Sequence, residues 1–157
     1  LEAVGRAYPK LDLVLFDLPE VAPSSVARFE AAGFGARSRF ECGSFKTDPI
    51  PTGADAISLI RVLYDHSDTT VRQLLAKCYD ALPSGGRLII SEPMSGGDKP
   101  ERAGDVYFAL YTLAMQTGKA RSAAEISALC EEAGFKVVGT PKPMRAFVTG
   151  CLHARKE

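Results

Sequence analysis

Apolar runs and amphipathic segments alternate along the chain, and their periods predict the elements. Residues 11–16 form a short run of β-forming side chains that stops on Asp17, which predicts a buried strand. Pro23 and Ser24 open a helix that carries Val26 and Phe29 and is closed by Gly33. Residues 37–42 alternate like a second strand, and 54–63, apolar at the centre, predict a third. Asp68 is the expected N-cap of a helix on which Val71, Leu74, Leu75, Cys78 and Leu82 recur at helical spacing, ended by "PSGG" at 83–86. Residues 87–90 predict the next buried strand, which ends on Ser91 and Glu92. A helix rich in Tyr, Phe, Leu and Met is expected over 101–117. "SAAE" at 122–125 matches a capping box, in which the serine and glutamate satisfy each other's exposed backbone donors. Ile126, Leu129, Cys130 and Ala133 form that helix's apolar stripe, and Gly134 stops it. Residues 135–138 and 146–152 predict two closing strands, joined by a proline-rich loop and therefore antiparallel.

Strand and helix in alternation predict the α/β class, a mostly parallel sheet finished by an antiparallel hairpin. Ligands of such sheets bind outside the carboxyl ends of the strands. Two of those ends carry acids here, Asp17 and Glu92, and "YDHSD" at 64–68 follows a third. Three polar clusters on one edge are the first functional signal.

Composition narrows the classes. The 157 residues predict one domain, and 46% hydrophobic residues supply a sizeable core rather than a disordered chain. Lysine plus arginine equal aspartate plus glutamate at 19 each, which argues against a nucleic-acid module. No apolar stretch is long enough to span a bilayer and no signal-peptide pattern opens the chain. Cys42, Cys78, Cys130 and Cys151 are scattered, without C-x-x-C pairs or histidines at ligand spacing. They read as small core residues in a reducing cytoplasm rather than metal ligands. Leu1 falls inside a helical-looking segment with no cap, so the chain is expected to be a fragment, truncated at its N-terminus.

The residues alone leave several roles open. A carboxylate at the position of Asp17 suits the hydroxyls of a ribose, and Asp-Leu-Pro is equally good turn chemistry. Tyr64, Asp65 and His66 are adjacent, so they point different ways. Taken singly they read as a core aromatic with a wet tip, a cap and a surface residue. Glu92 follows a fully apolar strand, where a carboxylate is costly unless paired or protonated. A phosphate-cradling glycine loop is not found, since the glycines of "GFG" and "SGG" read as helix terminators.

"AYPKLDLVLFDLPEV", "CGSF", "ADAISLIRVLYDHSD", "LPSGGRLIISEP" and "RSAAEISALCEEAGF", in this order, resemble the catalytic domain of S-adenosylmethionine-dependent O-methyltransferases. This family includes caffeate and acetylserotonin O-methyltransferases. The stretch "EPMSGGDKPERAGDVYFALYTLAMQTGKARS" resembles its bacterial carotenoid members, which act on hydroxyneurosporene or demethylspheroidene. The resemblance implies a Rossmann-like methyltransferase sheet over 1–157 without its first strand and glycine-rich loop. Those are expected upstream of Leu1, together with a winged-helix dimerisation domain. It implies that Asp17 binds the ribose of S-adenosylmethionine, Leu18 lies against the adenine, and Ser44, Phe45 and Arg61 complete the cofactor site. Ser44 stands where the family usually has an acid.

The resemblance also implies catalytic roles for Tyr64, Asp65 and Glu92, and places Tyr111 and Met115 against the acceptor. Tyr64 stands where the plant enzymes have a histidine base, and Ala120 replaces a family glutamate. His66 becomes the base only by a local shift of register. The expected protein is a cytoplasmic homodimer, at most peripheral to membranes, that methylates a hydroxyl of an apolar small molecule, a hydroxylated carotenoid. Two other readings stay open: an S-adenosylmethionine-binding protein without turnover, and a nicotinamide-dependent dehydrogenase, whose cofactor also presents a ribose to such an acid.

Overall fold

The computed structural model describes residues 1–96, 99–100, 102–141 and 149–157. They form two compact units, Leu1–Pro51 and Thr52–Glu157.

The first unit contains α1 (Glu2–Ala7), β1 (Leu13–Asp17), α2 (Ala22–Ala31) and β2 (Ser38–Cys42). β1 and β2 are parallel, from Leu13 opposite Ser38 to Asp17 opposite Cys42. Pro23 sits in the first turn of α2, where its missing N–H costs nothing. Leu13, Phe29 and Phe34 are buried together, with Leu15 and Ala32 against them. Arg37 ties the unit shut. Its guanidinium donates to the carbonyls of Leu11 and Gly5, each at 2.7 Å, and stacks 4.5 Å from the Phe34 ring centroid. Cys42, expected in the core, is exposed instead, at the last position of β2 opposite the exposed Asp17.

The second unit holds β3 (Ala56–Ile60), α3 (Asp68–Ala81), β4 (Arg87–Glu92), β5 (Met94–Ser95), α4 (Ala109–Met115), β6 (Arg121–Ser122), α5 (Ala123–Glu132), β7 (Phe135–Gly139) and β8 (Gly150–Lys156). Its main sheet has the order β3-β4-β8-β7. β3 and β4 are parallel, whereas β8 runs antiparallel to both β4 and β7. The α/β class with a mostly parallel start and an antiparallel C-terminal pair is thus observed. Alternation along β4 buries Leu88, Ile90 and Glu92 on one face, and β8 adds Leu152 and Ala154. Val71, Leu74, Leu75 and Cys78 of α3 and Ile126, Leu129 and Cys130 of α5 are buried as well. The capping box of α5 forms as expected between Ser122 and Glu125.

Three expectations are corrected or refined. The N-cap of α3 is Ser67, whose hydroxyl accepts from Thr70 N–H at 3.3 Å, and not Asp68. The Asp68 carboxylate is held by Arg121, so it is not available to cap. The helix expected over 101–117 is a π-helical stretch, Arg102–Phe108, running into α4, with Glu101 outside the described residues. The cause lies at Gly104, where a Cβ would collide with the carbonyl of Met94, so the wound backbone leans directly on β5. The last strand starts at Gly150 and runs to Lys156, and the predicted residues 146–148 fall outside the described ones.

Gly104→Ala should therefore force backbone apart and cost about 1–3 kcal/mol. Gly35→Ala, where nothing lies within 4 Å, should stay within about 0.5 kcal/mol of wild type. Urea denaturation of both variants checks this, and equal midpoints would contradict the packing described for Gly104.

Candidate active site

In the first unit the carboxyl ends of the two parallel strands bring Asp17, Leu18, Ser44 and Phe45 to one edge. Gly43 N–H donates to the Asp17 carbonyl at 3.0 Å, so the segment after β2 leaves beside the end of β1. The Asp17 side chain is exposed. Its Oδ1 accepts from Leu18 N–H at 2.8 Å, and its second oxygen accepts from none of the described residues. Both readings of Asp17 are thus physically compatible, because one oxygen organises the turn and the other faces outward. Ser44 opens a tight turn in which its carbonyl accepts from Thr47 and Asp48 N–H and its own N–H donates to Asp48 Oδ2 at 2.7 Å. Leu18 is 48% exposed, an apolar surface beside an open carboxylate oxygen.

In the second unit the chain leaves β3 through Arg61, a non-glycine residue at φ 57° whose N–H donates to the Ser91 carbonyl at 2.8 Å. A left-handed conformation of this kind costs about 1–3 kcal/mol and persists only where the surroundings enforce it. A single 3₁₀ turn follows, Leu63–Asp65. The bend turns three successive N–H groups toward β4. Glu92 receives all three: Val62 and Leu63 donate to Oε1 at 2.7 and 2.9 Å, and Tyr64 donates to Oε2 at 3.2 Å. Glu92 is 1% exposed. Burial pushes its carboxyl above the usual range, and the three backbone donors and the Arg121 charge pull it back.

Tyr64 is buried in an aromatic cluster. Its ring lies 5.2 Å from that of Phe108, edge to face, and 6.0 Å from that of Tyr111. The Arg61 guanidinium sits 5.8 Å from the Tyr64 centroid and 5.4 Å from that of Phe108. Burial raises the phenol above its ordinary 10.0 and the charge of Asp65 adds to this, while a hydrogen bond with Arg61 and its charge oppose it. The hydroxyl is therefore a neutral phenol at physiological pH. Met115, the second expected acceptor contact, is 55% exposed at the end of α4.

Arg121 completes the site, and the sequence reading passed over it. Its side chain is 1% exposed. Nε donates to Asp68 Oδ1 at 2.8 Å, Nη1 to the carbonyls of Leu63 and Lys119 at 2.9 and 3.3 Å, and Nη2 to that of His66 at 2.8 Å. The only sequence hint was a charged residue set between Gly118 and the apolar stripe of α5. Gly118, at φ 67°, presses its Cα against the backbone of Tyr64 to His66, and a Cβ there would strike the Tyr64 carbonyl. Arg61, Tyr64, Glu92, Tyr111 and Arg121 are thus parts of one assembly, with Asp65 on the same turn.

The Asp68–Arg121 pair has a pH signature. The arginine hydrogen bond holds the Asp68 carboxyl below its ordinary 3.8. The stability this contributes is present above that value and is lost as pH falls through the lower folded-state value. Asp68→Asn should be less stable than wild type at neutral pH, and urea midpoints of the two should converge as pH is lowered past 3.8. A gap that persists in acid would assign the loss to something other than the ion pair.

Residues 1–136 match the O-methyltransferase domain family. The chain is 53% identical over 156 residues to the demethylspheroidene O-methyltransferase of Rhodobacter capsulatus, covering 99% of this chain and 38% of that protein. It is 51% identical over 154 residues to the enzyme of the same name from Cereibacter sphaeroides, covering 98% and 41%. Among solved structures it superimposes on human N-acetylserotonin methyltransferase in complex with S-adenosylmethionine, with a TM-score of 0.77 and 28% identity, over 97% of this chain and 42% of that one. The chain spans about two-fifths of the length of these relatives. The strand-end carboxylate and the clamped tyrosine turn both lie within the matched residues, and the chain belongs to the O-methyltransferase domain family.

Proposed function

We propose that residues 1–157 supply the cofactor-binding and catalytic machinery of an S-adenosylmethionine-dependent O-methyltransferase. Its acceptor is the hydroxyl of an apolar small molecule, a hydroxylated carotenoid. The observation that carries this reading is the family match over residues 1–136, which takes in both Asp17 and Tyr64. The acceptor class rests on the two relatives above 50% identity, both demethylspheroidene O-methyltransferases. The cofactor rests on the chemistry of the strand-end set as well as on the human relative. An exposed carboxylate with an open oxygen, beside apolar Leu18 and with Phe45 on the segment that follows the neighbouring strand, fits a ribose diol and an adenine.

S-adenosylmethionine brings an electrophilic methyl group on a sulfonium, and the rest of the work falls to the chain. Asp17 grips the ribose hydroxyls, Leu18 and Phe45 cover the base, and Ser44 offers a hydroxyl where the family usually has a carboxylate. Arg61 borders the cofactor while its guanidinium steadies Tyr64. Tyr64, a neutral phenol, would hydrogen-bond the acceptor hydroxyl and, late in the transfer, take up that proton on its oxygen while its own phenolic proton passes to solvent water. An aliphatic alcohol is too weak an acid to ionise first. Positioning of the acceptor oxygen by the chain would then carry most of the rate, and positioning of this kind can supply about 7–11 kcal/mol. Glu92 and Asp65 act on the turn that carries Tyr64, Glu92 through backbone N–H groups and Asp65 by its charge. Tyr111 and Met115 form the apolar side of the acceptor site. The working protein in this proposal is a cytoplasmic homodimer, at most peripheral to a membrane. Among the described residues no helix is long and apolar enough to cross one.

A second reading, binding without turnover, is favoured by two exchanges: Tyr64 for the expected histidine and Ala120 for a glutamate. Transfer of labelled methyl from S-adenosylmethionine to a carotenoid alcohol separates the two. Turnover is expected in wild type. Tyr64→Phe should lower kcat on the order of 10²-fold. Asp17→Asn should weaken cofactor binding about 10–100-fold, the worth of a hydrogen bond to a charged group. Binding without transfer would establish the second reading, and unaltered affinity in Asp17→Asn would remove Asp17 from the site.

A further inference from the structure

We infer that Arg121 is a positioning residue for Tyr64, acting through the peptide that joins Leu63 to Tyr64. This inference rests on the proposed role of Tyr64. The peptide in question is gripped at both ends. Its N–H, on Tyr64, donates to Glu92 Oε2 at 3.2 Å, and its carbonyl, on Leu63, accepts from Arg121 Nη1 at 2.9 Å. A buried anion and a buried cation thus face each other across one peptide plane, each aligned with the matching end of its dipole. That plane enters the ψ torsion of Leu63 and the φ torsion of Tyr64, and so bears on the direction in which the side chain leaves the turn.

The two grips are kept in register by the backbone. Met94, two residues beyond Glu92, pairs with Arg121 in the parallel β5–β6 ladder. Arg121 reaches further along the same turn, to the His66 carbonyl at 2.8 Å and the Asp68 carboxylate at the start of α3. Gly118 lays the backbone of the same loop on the Tyr64–Asp65 peptide. That loop begins where α4 ends, at Gln116, and α4 carries Tyr111. The clamp therefore fixes Tyr64 relative to the helix that borders the aromatic cluster.

Simple stability does not call for this arrangement. Burying a carboxylate and a guanidinium carries a desolvation cost, and apolar side chains of similar volume often serve stability as well or better. What arginine adds is a planar fork that fixes direction, which lysine lacks. Arg121→Lys keeps the charge and loses the fork.

The test is a double-mutant cycle between Arg121→Lys and Tyr64→Phe in the protein, read as kcat and as cofactor Kd, with thermal melting to confirm the fold. The expected result is a kcat about 10–100-fold lower in Arg121→Lys, the cost of a misplacement near 1 Å. Cofactor Kd should stay within about twofold, and the same substitution should have no further effect on kcat in the Tyr64→Phe background. Equal slowing in both backgrounds, or a wild-type kcat in Arg121→Lys alongside a slow Tyr64→Phe, overturns the assignment of Arg121 while leaving Tyr64 in place. A wild-type kcat in Tyr64→Phe overturns the role of Tyr64 and the inference with it. Should Arg121→Lys fail to fold, Asp68→Asn replaces it in the cycle. That variant weakens the anchor to residue 68 and leaves the three backbone carbonyls bound, so a smaller kcat loss, again absent in Tyr64→Phe, supports the inference and an additive loss refutes it.

Discussion

A carboxylate with nowhere dry to hide organises this structure. The two-residue period of β4 puts Glu92 on the same face as Leu88 and Ile90, so the acid is driven inward with its apolar neighbours. A buried carboxylate needs donors, and β4 cannot supply them from its own backbone. They come from the turn that follows β3. The register of the parallel pair, with Ile60 opposite Ser91, sets that turn immediately above Glu92. The left-handed kink at Arg61 then points three N–H groups downward. Strain at Arg61 and desolvation at Glu92, each unfavourable alone, are offset by the same three hydrogen bonds. The peptide whose N–H, on Tyr64, faces Glu92 turns its Leu63 carbonyl the opposite way, where Arg121 takes it together with that of His66. The anion dictates the shape of the turn and the cation closes it.

Much of this was legible because it is local. Runs of apolar residues gave the strands at 11–16 and 87–90, and the reciprocal Ser122–Glu125 cap forms between residues three apart. Glu92 itself announced a partner, since an acid just after the apolar run Leu88, Ile89 and Ile90 is a problem requiring a solution. The solution was not legible. Arg121 meets Leu63, His66 and Asp68 across 58, 55 and 53 residues, and no period or motif encodes such separations. The same distance explains the cap at α3. Ser67 and Asp68 are equally good N-caps by composition, and the choice was made by an arginine far along the chain. It explains the π-helical stretch as well, because Gly104 yields to the backbone of Met94 only once β5 is in place. The place of β8 between β4 and β7 is likewise a tertiary outcome, in which apolar Leu152 and Ala154 complete a face begun by β4.

The departures from the family pattern bear on the proposed chemistry in one direction. A histidine base works by taking a proton near neutral pH, and its usefulness depends on a carboxylate that orients the ring. In this chain the first position is Tyr64 and one orienting position is Ala120. A tyrosine whose phenol is raised further by burial and by Asp65 is poorly suited to take a proton and well suited to donate a hydrogen bond. The orienting role then has to move from the side chain to the backbone, because a phenol hydroxyl offers a carboxylate no second nitrogen to hold. That is where Glu92 and Arg121 are spent, on the peptide before Tyr64 rather than on its ring. The ring itself is left to Phe108 and Tyr111, whose edge-to-face and tilted contacts fix its plane without competing for the hydroxyl. On the proposed reading the exchange of histidine for tyrosine is thus coherent with its surroundings: the site trades proton abstraction for alignment, and the buried carboxylate and guanidinium on the peptide before Tyr64 make that alignment firm.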